Sequence, residues 1–195
     1  HINNPVMKTK PLSLLLALLV LATGSALSQT TGNPVTDLLL SAWSPRNFTS
    51  VPVTDQQIDM ILQCGIKAPS ARNAQPWHFT VITNEAVMKE IIPNITPGNV
   101  IIVISGKVSQ SGATPDFDCG LATQNMFVAA TSMGLGARIY GAPVAAVRSK
   151  KEALQIPEEF SPVMMIRVGN MEKSSDAISG ASPRKTKEET VNWVR

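Results

Sequence analysis

Twelve residues, Ala68-Pro69-Ser70-Ala71-Arg72-Asn73-Ala74-Gln75-Pro76-Trp77-His78-Phe79, constrain the fold of this chain more than any other stretch. They set a helix stop, a polar turn and a strand start in immediate succession. Upstream, Thr54 to Lys67 read as a helix in which Ile58, Ile61, Leu62 and Ile66 share one face. Thr54 with Gln57 three residues on has the pattern of a capping box, and Pro69 ends the element. Downstream of Trp77, Phe79-Thr80-Val81-Ile82 has the β-branched and aromatic composition of a strand. Between them, Ser70, Arg72, Asn73 and Gln75 put four hydrogen-bonding side chains on one short connection that is stiffened at both ends. A turn held this way suits a flat, polar-edged heterocycle. On chemistry alone, an ordinary helix-to-strand loop accounts for it equally well.

The rest of the chain alternates helices and strands irregularly. Asp37 to Trp43 reads as the end of a first helix carrying Leu38, Leu39 and Leu40, and Glu85 to Ile92 as a short helical piece. Val100-Ile101-Ile102-Val103-Ile104 is an unbroken run of β-branched residues, which predicts a strand buried on both faces. A long helix is expected from about Asp116 to Met133. Phe117, Leu121, Phe127, Val128 and Met133 make it apolar over much of its circumference, which suits a central place or a subunit contact. Ala137 to Tyr140 and Pro162 to Val168 read as strands, and Asn170 to Ser182 as a polar loop. This irregular order points to an α+β sandwich and not to a doubly wound parallel sheet.

The 195 residues suffice for one domain with a good core, and no linker divides them. A formal charge of +3 with no basic cluster argues against nucleic-acid binding. At the N-terminus, Met7-Lys8-Thr9-Lys10 is a basic start, Leu12 to Ala22 an apolar run, and Ala26-Leu27-Ser28 an A-x-A-like cleavage site before Gln29. Residues 1–28 therefore read as a short extension (His1 to Val6) plus a secretory signal peptide, leaving 29–195 as the folded domain. An uncleaved membrane anchor is the alternative. The reading implies export, periplasmic or secreted, with no stable membrane span once the signal is removed. Loss of Lys8 and Lys10 takes the formal charge from +3 to +1. Cys64 and Cys119 fall on expected helices among apolar neighbours and read as two buried small residues more readily than as a disulfide. The only histidines are His1 and His78, too few for a Ser-His-Asp hydrolase or a multi-histidine metal site. Gly134-x-Gly136 is followed by Ile139 where a dinucleotide fingerprint needs its third glycine, so these glycines read as a helix end. Asn47-Phe48-Thr49 matches a glycosylation sequon that we read as chance.

Four blocks together resemble one family. The opening twelve residues are similar to the "APSxxNxQPW" signature of the FMN-dependent nitroreductases, and Ser44-Pro45-Arg46-Asn47-Phe48 to the later half of that family's "RRSxRxF". Asp116 to Asn125, continuing to Gly134-Leu135-Gly136, resembles "DxGxAxQNxxLAAxxxGLG", and Pro183-Arg184-Lys185 resembles the "pRK" near the C-terminus. The blocks occur in the family's order from about residue 37 onward.

The resemblance implies an α+β sandwich with a central, mostly antiparallel sheet flanked by helices. It also implies a homodimer with FMN at the subunit interface. It assigns Ser44 to the phosphate, Arg46 to the N1/C2 edge of the flavin, and Pro69, Ser70 and Asn73 to the ring and ribityl chain. Arg184 and Lys185 would meet the phosphate, and Gly141 would bring a backbone amide to N5. A cation near N1 and C2 is useful because two-electron reduction places negative charge there.

No catalytic side chain is required, since the flavin carries the chemistry. The implied activity is ping-pong transfer from NAD(P)H through flavin N5 to a nitroaromatic or quinone-type small molecule. One departure stands out: where the family has two basic residues before the serine, this chain has Ala42 and Trp43. Loss of one charged hydrogen bond to phosphate costs roughly 1.5–3 kcal/mol, about ten- to a hundredfold in affinity. Arg72 and Lys185 are the sequence's candidates to offset it. Export also separates the chain from cytoplasmic NAD(P)H. The rival expectations are thus a flavin-binding member without NAD(P)H-dependent turnover, or an exported interaction module without flavin.

Overall fold

A computed structural model describes residues 31–107, 114–172 and 183–195. The extension, the signal-like segment and most of the expected loop between Asn170 and Ser182 lie outside the described residues.

The core forms around the apolar run. Strand β2 (Val100–Gly106) is buried along its whole length, because it pairs on both sides and is covered on both faces. It runs antiparallel to β1 (Trp77–Ile82) and to β4 (Ser161–Gly169), and β4 pairs antiparallel with β3 (Gly136–Tyr140). The sheet order is β1-β2-β4-β3, which makes β1 and β3 the edges. Alternation along β2 feeds two cores. Ile102 and Ile104 join Ile166, Val168 and Ala137 beneath helices α2 (Asp55–Ile66) and α4 (Pro115–Ser132). Ile101 and Val103 join Met165, Val144, Val147 and Phe160 on the other face, with α3 (Glu85–Ile91) and α5 (Val144–Arg148). The result is the expected α+β sandwich, and every strand pairing among the described residues is antiparallel.

Local chemistry explains the element ends. The Thr54 side chain accepts from Gln57 N while Thr54 N donates to Gln57 Oε1 at 3.0 Å, which closes the capping box of α2. Helix α4 ends at Met133, and Gly134 takes the left-handed conformation (φ +76°) that turns the chain into β3. Helix α1 (Pro34–Ser41) starts at Pro34, where the Asn33 side chain caps it by accepting from Val35 N and Thr36 N. It stops before Trp43.

One side-chain placement differs from the sequence reading. Ile66 is 54% exposed and lies outside the buried face of α2, where Ile58 and Ile61 join the core and Gly65 meets Met126 of α4. Phe117 is 63% exposed, and the buried stripe of α4 consists of Asp118, Cys119, Ala122, Thr123, Met126, Ala129 and Ala130. Small residues in that stripe let α4 lie close to α2 and the sheet, with Met126 buried and Phe127 and Met133 packed against the same core. Gly65 follows the same logic, since a Cβ there would stand 2.3 Å from Met126 Cε.

Because Ile102 is fully buried at the centre of this assembly, Ile102→Ala should cost about 2–5 kcal/mol of unfolding free energy, read as a lower urea midpoint at unchanged slope.

Candidate functional site

The connection from α2 to β1 is the most constrained backbone in the described chain. Ser70 is extended, Ala71–Asn73 form a single 3-10 turn, and Arg72, Asn73 and Gln75 have φ of +52°, +55° and +47°. Left-handed backbone at a non-glycine residue costs of order 1 kcal/mol, so a set of short bonds must hold it. Asn73 N donates to Ser70 O and Ala74 N to Ala71 O, both at 3.0 Å. Gln75 N donates to Ser70 Oγ at 3.0 Å, which leaves the Ser70 hydroxyl proton available to donate elsewhere. Lys107 N donates to Pro76 O at 2.9 Å, fixing the exit beside the end of β2. The side chains of Arg72, Asn73 and Gln75 are exposed and Ser70 is half-buried, so the turn offers its polar groups outward.

The tie to the core is Asp118, which the sequence reading had not singled out. This residue is 0% exposed in the first turn of α4, and its Oδ1 accepts Ala71 N at 3.1 Å. Its Oδ2 has no hydrogen-bond partner among the described residues. A carboxylate on the buried stripe of a helix, in step with Ala122 and Met126, is the signal that marks it. Next to it, burial first, then Asp116 and Asp118, push the Cys119 thiol up to about 12, so it stays protonated at neutral pH. Both cysteines are free, Cys119 buried and Cys64 half-buried.

The Ser44–Phe48 segment is seated elsewhere. Pro45 and Phe48 lie against Gly136 at the start of β3, where a Cβ would come within 2.6 Å of Pro45 Cγ and 3.1 Å of Phe48 Cε1. Phe48 forms a bridge with Met171, just beyond β4, and Thr49 N donates to Asn170 O at 2.7 Å. Asn99 holds the segment from beneath, donating Nδ2 to Thr49 O at 3.3 Å. Ser44 and Arg46 are exposed on either side of buried Pro45. Trp43, ahead of them, has a buried indole N–H with no acceptor among the described residues.

The strand register sets these two clusters apart. Trp77, which follows the polar turn, pairs with Gly106, and Gly106 with Ser161. The Ser44–Phe48 segment sits at the other end of the sheet, against Gly136, which pairs with Gly169. Gly106 and Val100 bound β2, so the clusters stand on the order of 20 Å apart along the strands. Within the chain Pro69, Ser70 and Asn73 are together, Ser44 and Arg46 are together, and the two groups are not. Gly141 is exposed directly after β3, on the opposite edge of the sheet from the polar turn. Arg184 and Lys185 are exposed just before α6 (Lys187–Thr190), whose own capping box joins Thr186 and Glu189. Among the described residues no group of three or more His, Cys, Asp or Glu side chains could hold a metal ion. Nor is any helix there long and apolar enough to cross a membrane.

These features define an antiparallel α+β sandwich that carries a pinned polar turn at one sheet end and a cation-bearing loop at the other. A model described as the Nitroreductase family matches residues 39–100 and 93–170. A protein of Archaeoglobus fulgidus, provisionally named an NADH dehydrogenase/NAD(P)H nitroreductase, is 30% identical over 144 residues, 68% of this chain and 83% of that protein. The NADPH-flavin oxidoreductase of Vibrio harveyi is 27% identical over 166 residues, covering 74% of this chain and 68% of the relative. Among solved structures, a provisionally assigned nitroreductase of Desulfovibrio desulfuricans in complex with FMN aligns with a TM-score of 0.69 at 27% identity, over 84% of this chain and 98% of that one. The chain belongs to the Nitroreductase family.

If Asp118 holds the polar turn, Asp118→Ala should cost about 1–3 kcal/mol through the unpaired Ala71 N–H, whereas Asp118→Asn, which keeps an acceptor, should cost less. Urea unfolding of the three proteins without flavin reads the difference, and equal stabilities would remove Asp118 from this role.

Proposed function

We propose that this protein is an FMN-dependent oxidoreductase that works as a homodimer. The observation that carries the proposal is the polar turn: a strained, core-anchored connection that holds half-buried Ser70 and exposed Arg72, Asn73 and Gln75 close together. Backbone strain of this kind persists where the surroundings over-determine it, often at ligand-binding positions. The donor set fits the flavin. The Ser70 hydroxyl and the Asn73 amide suit the carbonyl-rich edge and the ribityl chain, with Pro69 against the ring. Arg46 suits the N1/C2 edge, and Ser44, Arg184 and Lys185 suit a phosphate. Gly141 has no side chain to block approach of its amide to N5, and a Cβ there would meet nothing within 4 Å.

One protomer holds the turn and the Ser44–Arg46 loop too far apart to serve the same small ligand, so the site needs two copies, each supplying one half. The outward faces of α1, α2 and α4 favour such an association. Leu39, Cys64, Lys67, Gln124, Asn125 and Val128 border a groove of about 530 Å³ there, and Phe117 is exposed on α4.

When bound, FMN supplies two-electron transfer from NAD(P)H or another donor to a nitroaromatic or quinone-type acceptor. The chain's own residues orient the ring, place cationic charge beside N1 and C2, and exclude water once two copies close over it. No nucleophile is required of the protein. We further propose that residues 7–28 direct export, in which case the physiological donor is a reductant other than cytoplasmic NAD(P)H.

The Ala42 and Trp43 substitutions favour a second reading, in which flavin binds but NAD(P)H does not reduce it. An absorption spectrum of the chain from Gln29 onward, purified after excess FMN, separates the two. Retained flavin that bleaches anaerobically on adding NAD(P)H is the expected result. Retained flavin that stays oxidised with NAD(P)H, yet bleaches with a chemical reductant, would select the second reading. A colourless protein that does not bind FMN in titration would refute both.

A further inference from the structure

Arg138 in β3 stands directly opposite Arg167 in β4, so two guanidinium groups are neighbours on one face of the sheet. Arg167 is 5% exposed. Its Nε donates to Asn99 Oδ1 at 2.7 Å and its Nη2 to Thr96 Oγ1 at 2.9 Å, and its Cζ lies 4.0 Å from the centre of the Phe48 ring. Arg138 is half-buried, donates Nη1 to Pro45 O at 3.4 Å and lies 5.5 Å from the centre of the Tyr140 ring. Among the described residues neither arginine has a carboxylate partner; the ion pairs there are Lys89–Glu85 and Lys150–Glu90. Like charges directly opposite each other destabilise a sheet. Arg167 also bears the cost of burial, which lowers its pKa; Tyr140 opposes that shift, and Arg138 adds a smaller lowering. Two adjacent cations with only neutral partners make a place where an anion would relieve a standing cost.

That place lies at the phosphate-side loop. Pro45, whose carbonyl accepts from Arg138, sits between Ser44 and Arg46, two residues beyond the Ala42 and Trp43 that replace basic residues of the family pattern. We propose that Arg138 is a phosphate-binding residue of the FMN site and supplies the charge missing at Ala42 and Trp43, with Arg167 as a buried cation behind it. The proposal rests on the FMN reading above. Arg138 has five N–H donors and spends one on Pro45 O, so a planar pair remains for two phosphate oxygens. None of the four sequence blocks that resemble the family contains this arginine; the third stops at Gly136. The assignment therefore comes from the strand register and the Pro45 contact.

The test compares FMN with riboflavin, which has the same ring and ribityl chain but no phosphate, on wild type, R138Q and R138K by fluorescence titration at low and high salt. R138Q should weaken FMN roughly ten- to a hundredfold and leave riboflavin affinity unchanged. R138K should recover part of the loss, and the preference of wild type for FMN should shrink with added salt more than that of R138Q. Without flavin, R138Q should unfold at the wild-type temperature or above it, because a like-charge pair is relieved. Equal weakening of both flavins, or a lowered unfolding temperature, would make Arg138 a clamp on the Pro45 loop and overturn the proposal. Unchanged FMN affinity would overturn it as well. Those failures differ from failure of the FMN reading itself, in which wild type would bind neither flavin.

Discussion

The antiparallel pairing of β2 with β4 governs nearly everything else in this molecule. Both strands lie inside the sheet, and β2 is covered on both faces, so a one-residue slip would exchange the contents of the two cores. That register is therefore strongly fixed. It carries Trp77 and the polar turn to one end of the sheet, and Gly136 with the Ser44–Phe48 loop to the other. The distance between the two halves of the candidate site is a consequence of strand length, and a second copy is the simplest way to bridge it.

Around this frame the site concentrates local costs that the core sustains. Three non-glycine residues in left-handed backbone, and, among the described residues, a buried carboxylate with one unpartnered oxygen and two facing arginines without an acid, are each unfavourable alone. Each is held by a rigid neighbour: the turn by α4 through Asp118, and Arg167 by Asn99, Thr96 and Phe48. All of them fall in or beside the segments whose sequence resembles the family's. Local costs held in place by a rigid core are what a preorganised binding site requires.

Much of this was legible in the residues. Thr54 and Gln57 announced the capping box, the β-branched run from Val100 announced a strand buried on both faces, and Gly134 announced a helix end. An apolar circumference did not say which side of α4 faces the core: the buried stripe runs through Asp118, Ala122 and Met126, and Phe117 faces out. Ile66, at the last turn of α2, instead lines an open groove with Leu62, Trp77, Phe79 and Val81 beside edge strand β1. Helix α5 is five residues long and had no start or stop signal strong enough to read. Asp118 and Arg138 acquire meaning only through partners 47 and 93 positions away, contacts that no local pattern encodes. The placing of Ser44 and Arg46 apart from Ser70 and Asn73 was invisible for the same reason, since register is a property of paired strands.

The most direct test of the account is complementation between two defective copies. Ser44→Ala/Arg46→Ala and Ser70→Ala/Asn73→Ala variants, each unable to retain FMN, would be unfolded, mixed in equal amounts and refolded together. A site assembled from two subunits has one intact copy in every mixed dimer, so about a quarter of the wild-type flavin content should return. No flavin in the mixed dimer, with both parents folded and wild type retaining FMN through the same treatment, would mean that the two groups do not combine across the interface, and the composite site would be wrong.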